Sequence, residues 1–130
     1  MRRHPIVAIW FSLLLASMSA RAHHSFSSVF DGKKPITLTG PVTKIEWANP
    51  HIHLYIDVKD EAGQVINWAI EMGSPNFLVR LGWTRHAMKV GDVVTIEGHL
   101  ARDGSKLANA RTVLLGGKKM FAGPSEGSGR

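Results

Sequence analysis

Cysteine is absent from this 130-residue chain. Disulfides, thiolate nucleophiles and thiolate metal sites are therefore excluded, and the fold has to rest on its apolar core. Blocks of basic residues are missing too. The formal charge is +6, from 16 Lys and Arg against 10 Asp and Glu, but the basic residues are dispersed and give no nucleic-acid footprint. There is no glycine-rich phosphate motif, because the glycines are scattered at turns. Ser25, Ser27 and Ser28 do not sit on a strained nucleophile turn. No internal repeat is visible, and no apolar run is long enough to span a bilayer.

The longest apolar run, Ile6 to Met18, follows Met1-Arg2-Arg3-His4 and precedes Ala20-Arg21-Ala22. A basic start, a short apolar stretch and an A-x-A site make a cleaved secretory signal over residues 1–22. The expected location is periplasmic or secreted, with no membrane anchor after cleavage. Removing the signal takes away Arg2, Arg3 and Arg21 and no acid, leaving +3, 13 basic residues against 10 acidic. Part of the basic balance thus belongs to export. The remaining residues 23–130 are enough for one domain and too few for two.

Residues 23–35 read as an N-terminal arm, with Phe26 and Phe30 able to pin it to the surface and Asp31-Gly32-Lys33-Lys34-Pro35 as a turn-rich link. From Ile36 the pattern is that of strands. Ile36, Leu38 and Val42 share one parity, and Ile45 and Trp47 the other, so a bulge or bend interrupts the first strand, with Gly40-Pro41 as the expected place. Asn49-Pro50 is a turn. The second strand points Ile52, Leu54, Ile56 and Val58 one way and His51, His53, Tyr55 and Asp57 the other. A loop at Asp60–Gln64 leads to a third strand with Ile66, Trp68, Ile70 and Met72 inward. The period then changes: Ser74 suits an N-cap, Pro75 the first helical position and Gly82 the helix end. Two further strands follow, one carrying Val94, Ile96 and Leu100, the other running from Ala108 to Leu115. The expected fold is mainly β, a small five-stranded OB-like barrel over residues 36–121 with a short helix between strands three and four. Residues 122–130, rich in Gly and Ser, are expected to be a disordered tail.

Several stretches together carry a resemblance: Ala22-His23-His24-Ser25-Phe26, Leu38-Thr39-Gly40, Glu46-Trp47-Ala48-Asn49-Pro50-His51, Glu71-Met72-Gly73-Ser74-Pro75, Gly82-Trp83 and Lys89-Val90-Gly91-Asp92. The chain resembles a family of small exported bacterial proteins classed only as a domain of unknown function. The resemblance implies a periplasmic or secreted β-rich protein and supplies no catalytic residues.

The histidines are the main chemical lead. Cleavage after Ala22 makes His23 the amino terminus, where its α-amino nitrogen and Nδ1 can chelate together. One more imidazole then gives a three-nitrogen set suited to Cu(II). The α-amino group titrates near neutrality, around pKa 7.7–8, and so can be free to bind. His51 and His53, two apart on one strand face, have Cβ atoms roughly 7 Å apart. The candidate copper ligands are therefore His23, His24, His51 and His53. The plain counterpart is that these histidines are surface groups that only hydrogen-bond; His86 and His99 have no evident partner and read as surface residues. A second constellation, Glu46, Trp47, Asn49 and His51 at one corner with Trp68, Glu71, Trp83 and Arg85 nearby, reads as a ligand corner for a small molecule or an envelope protein. Its counterpart is that the tryptophans are core. Glu46 and Glu71 as an acid–base pair have nothing to fix their separation, so an enzymatic role has little support. Export and low charge argue against nucleic acid.

Overall fold

The structure, a computed structural model, describes residues 26–123. The first strand, β1, runs from Phe30 to Glu46, starting six residues before the expected Ile36. Phe30 is 2% exposed and pairs with Ala101, so the arm is shorter than the sequence suggested: Phe30 to Pro35 belong to the sheet. What precedes is a single helical turn, α1, Phe26–Val29. It is held by Arg102, whose backbone N–H donates to the Val29 carbonyl (2.8 Å) and whose Nε donates to the Ser27 carbonyl (2.7 Å).

β1 serves two neighbours. Its first part, to Pro41, pairs antiparallel with β4 (Val93–Ala101), and from Val42 onward it pairs with β2 (His53–Lys59). The expected irregularity is present but displaced. The register shifts between Val42 and Lys44, not at Gly40-Pro41. What Gly40 provides instead is room. A Cβ there would lie 1.8 Å from the Asp57 carbonyl oxygen, so glycine allows two backbones to pass in close approach. The shift turns the apolar face, burying Leu38 and Val42 before it and packing Ile45 and Trp47 against the core after it.

β2 and β3 (Val65–Glu71) form a hairpin whose alternation matches the period-two pattern: Ile52, Leu54, Ile56, Trp68, Ile70 and Met72 are buried. Ser74 then caps α2, Pro75–Arg80, its hydroxyl accepting from the Phe77 N–H at 3.2 Å, with Pro75 in the first turn. Gly82 follows at φ +92, the left-handed geometry glycine favours after a helix. A two-turn helix has little stability of its own. Leu78, fully buried in the same cluster as the strands, supplies the packing that holds it.

β5 (Leu107–Leu115) pairs antiparallel with β4 and, through Ala69↔Leu107, Ile70↔Ala108 and Glu71↔Asn109, parallel with β3. That last contact closes a ring of five strands, β1-β2-β3-β5-β4. The fold is thus mainly β, with two short helices among the described residues. A sixth strand, β6 (Lys118–Phe121), was not expected; it pairs with the second half of β5. The order also extends beyond residue 121. Ala122 is fully buried, its carbonyl accepting from the Gly73 N–H (2.8 Å) and its N–H donating to the Arg111 carbonyl (2.9 Å). A tail beginning at Ala122 therefore starts too early, because its backbone bridges the end of β3 to β5. No helix among the described residues is long and apolar enough to cross a membrane.

Candidate functional site

Cross-strand register assembles a row of polar residues around one end of the ring. Glu46 on β1 faces His53 on β2, His53 faces Glu71 on β3, Glu71 faces Asn109 on β5, and Asn109 faces His99 on β4. Within it Glu71 is the hub. Its Oε1 lies 3.2 Å from Nδ1 of His51, and its Oε2 lies 3.8 Å from Nε2 of His53. His51 sits just after the Asn49-Pro50 turn, whose peptide bond is cis, and Ile52 is tied back by its N–H to the Gly73 carbonyl and by its carbonyl to the Met72 N–H. Those two bonds bring His51 alongside the end of β3. One carboxylate therefore touches two imidazoles that the sequence placed two residues apart.

Glu46 is bound elsewhere. It forms an ion pair with Lys44, two residues along the same strand, and accepts a hydrogen bond from the Tyr55 hydroxyl at 3.2 Å. The Lys44 ammonium, with help from Tyr55, holds the Glu46 carboxyl below the usual carboxylate range. Partial burial, reinforced by the neighbouring carboxylate, pushes the Tyr55 phenol up.

The ligand corner does not form as one unit. Trp83 is 2% exposed and its Nε1 donates to the Phe121 carbonyl at 2.7 Å. Trp47 packs against the same cluster. The space between the two, bounded also by Ile52, Met72 and Met88, is only about 10 Å³, no more than a single water can use. Asn49 is exposed on the turn. Glu71 faces a different space: an open groove of about 660 Å³ with His51 beside it. His23 and His24 lie outside the described residues. Among the described residues no group of three or more His, Asp or Glu side chains is arranged to hold a metal ion.

The groove itself was not foreseen. Its walls are Phe26 and Val29 of α1, Phe30 of β1, Met72, and Phe77 and Arg80 of α2. Phe26 and Phe30 have ring centroids 5.4 Å apart. The two phenylalanines of the arm do pin it, as their spacing suggested, but they also line a concavity. Ser74, Asn109, Gly73, Ala110 and Gly123 complete the lining. A Cβ on Gly73 would lie 2.4 Å from the Phe77 ring, and one on Gly123 would lie 2.4 Å from the Ala110 carbonyl, so backbone passes where side chains would not fit.

A family model described as a family of unknown function, DUF6152, matches residues 12–110. The chain belongs to this family. Among curated proteins, none matches it. DUF6152 membership carries no reaction with it, so the side chains have to supply the functional argument. The remaining histidines of this DUF6152 protein divide. His86 is exposed, as its lack of partners suggested. His99 is not a plain surface residue: Phe26 meets its ring edge-on at 5.6 Å, and its Nδ1 is buried with no hydrogen-bond partner among the described residues. No local pattern signals this, because Phe26 and His99 meet only once β1 has paired with β4.

Proposed function

We propose that this is an exported binding protein that takes up Cu(II) through the mature amino terminus and the histidines of the second strand. The signal over residues 1–22, if removed after Ala22, leaves His23 with a free α-amino group and an imidazole, a ready bidentate chelate. The observation that carries the proposal is the Glu71 carboxylate shared by His51 and His53. A carboxylate against one ring nitrogen fixes the imidazole and leaves its other nitrogen to ligate, an arrangement typical of metal-bound histidines. Glu71 against Nδ1 of His51 leaves Nε2 of His51 for the ion. Supporting it, Phe26 lines the same groove as His51 and Glu71, and three residues of extended chain reach about 10 Å. Since the described side chains do not make a complete site by themselves, the reading needs the terminus as donor. His24 is the adjacent alternative ligand.

The same reading takes the five-strand ring as OB-like. Support comes from the order of elements: three antiparallel strands, a helix, then two strands, with the third and fifth strands meeting in parallel.

The test is a copper titration of protein beginning at His23, followed by calorimetry and by electron paramagnetic resonance for nitrogen coordination. One Cu(II) per chain is expected. A single extra residue before His23, or His51→Ala, should weaken binding by a factor of a hundred or more. Equal affinity in the extended form would overturn the terminal chelate.

A further inference from the structure

We infer that the groove between α1, α2 and the end of β3 is a binding site for an organic ammonium ion with an apolar body, independent of any metal. At about 660 Å³ it falls within the range of small-molecule sites. Its chemistry is uneven in a useful way. Phe26 and Phe77 face it, Phe30 and Met72 form its floor, and the carboxylate within it is Glu71. Phenylalanine rings beside a carboxylate are the usual means of recognising an alkylammonium: the carboxylate supplies the countercharge, and the rings attract the cation while covering its carbon skeleton. Two of the rings are already adjacent, Phe26 and Phe30 at 5.4 Å. The third, Phe77, lies over Gly73, where a Cβ would collide with it at 2.4 Å; Gly73 is two residues from Glu71.

The sign of the ligand follows from where the charges sit. Glu71 is three-quarters covered, at 24% side-chain exposure, whereas Arg80 is exposed at the end of α2. An ion pair is worth more where solvent is partly excluded than at the rim. The carboxylate of Glu71 therefore lies in the covered part of the groove, where it complements a single cation.

The experiment uses the purified protein stripped with EDTA, so that copper plays no part in it. Phenethylammonium, neutral 2-phenylethanol and anionic 3-phenylpropionate are titrated separately by calorimetry. The expected result is saturable binding of phenethylammonium at least tenfold tighter than of the alcohol, with the difference abolished by Glu71→Gln. Should Glu71→Gln fail to fold, nuclear Overhauser contacts from the phenethylammonium methylenes to the Phe26 and Phe77 rings of the unmodified protein serve instead. Tighter binding of phenylpropionate, no preference for the cation, no saturation at millimolar concentration, or no contacts to those rings overturns the assignment.

Discussion

Gly40→Ala probes the place where the sheet turns from one neighbour to another. The added Cβ would sit 1.8 Å from the Asp57 carbonyl oxygen, and contacts under 3.0 Å are essentially never seen. The two backbones must therefore separate by at least 1.2 Å, the difference between those distances. The obstacle is backbone and cannot swing aside as a flexible side chain would. Close by, Val42 pairs with Ile56, the register of β1 then shifts, and the Val42 N–H donates to the Asp92 carbonyl at 2.8 Å. Separation of β1 from β2 thus strains the ladder on one side and the β4 approach on the other. Overpacking of this kind costs about 1–3 kcal/mol, and the rigid obstacle points to the upper end. For a domain of this size each kcal/mol lowers Tm by about 4–8 °C, so a fall of roughly 10–20 °C is expected.

The control is Gly63→Ala. Gly63 also resists substitution, but only because its φ is +80; a Cβ there meets nothing within 4 Å. Its cost is the backbone penalty alone, about 1–2 kcal/mol. Urea and thermal unfolding of the two variants side by side separate collision from conformation. If Gly40→Ala proved no more damaging than Gly63→Ala, the close crossing of β1 over Asp57 would be wrong, and with it the route that brings Glu46 opposite His53.

Acid should destabilise the protein through four carboxylates, Glu97 and Asp103 exposed and Glu46 and Asp92 partly covered. Lys44 holds Glu46 down, Lys89 holds Asp92 down, Lys119 with Thr112 holds Glu97 down, and Ser105 holds Asp103 down. Folded values below the unfolded ones mean stability that is complete above the ordinary values, 4.5 for Glu and 3.8 for Asp, and is lost as pH falls through the folded values. Thermal midpoints should hold from pH 7 to about 5 and drop below about 4.5; a flat profile down to about pH 3 refutes the assignment. Trp83→Phe keeps most of the buried ring but removes the donor to the Phe121 carbonyl, at a cost of about 1 kcal/mol. Hydrogen exchange should then quicken at the amides of Ala122 and Gly73, which lie just beyond that anchor, and unchanged protection there would show that Trp83 does not secure β6.

The fold was legible where structure is local. Alternation along β2 and β3 assigned the buried face correctly at Ile52, Leu54, Ile56, Trp68, Ile70 and Met72, since a strand with one buried face can hold only one register. Ser74, Pro75 and Gly82 marked the helix because capping chemistry acts within a few residues. The misplaced features depend on distant partners. Gly98 shows why: a Cβ on it would lie 1.7 Å from the Asn109 carbonyl oxygen, and β4 and β5 shift register between Glu97 and Gly98. Nothing next to Gly98 in sequence announces Asn109. Likewise Lys118–Phe121 carries little strand pattern of its own and becomes β6 because β5 is long enough to pair with β3 first and then with it.

The candidate site divides along the same line. His51 and His53 stood out because their spacing on a strand is a local fact. The corner at Trp47–His51 groups Glu71 with His51 and with the tryptophans alike, and its contacts are with the imidazoles of His51 and His53. The tryptophans were attractive because indole beside carboxylate suggests a pocket, but in a small ring of strands large aromatic side chains are needed to fill space, and Trp47 and Trp83 leave almost none between them. The concavity lies instead between α1, α2 and the end of β3, where Gly73 sits directly under the Phe77 ring and Gly123 against the Ala110 carbonyl. Tryptophan marks the filled side of His51, and Gly73 and Gly123 on the other side look in sequence like ordinary turn residues.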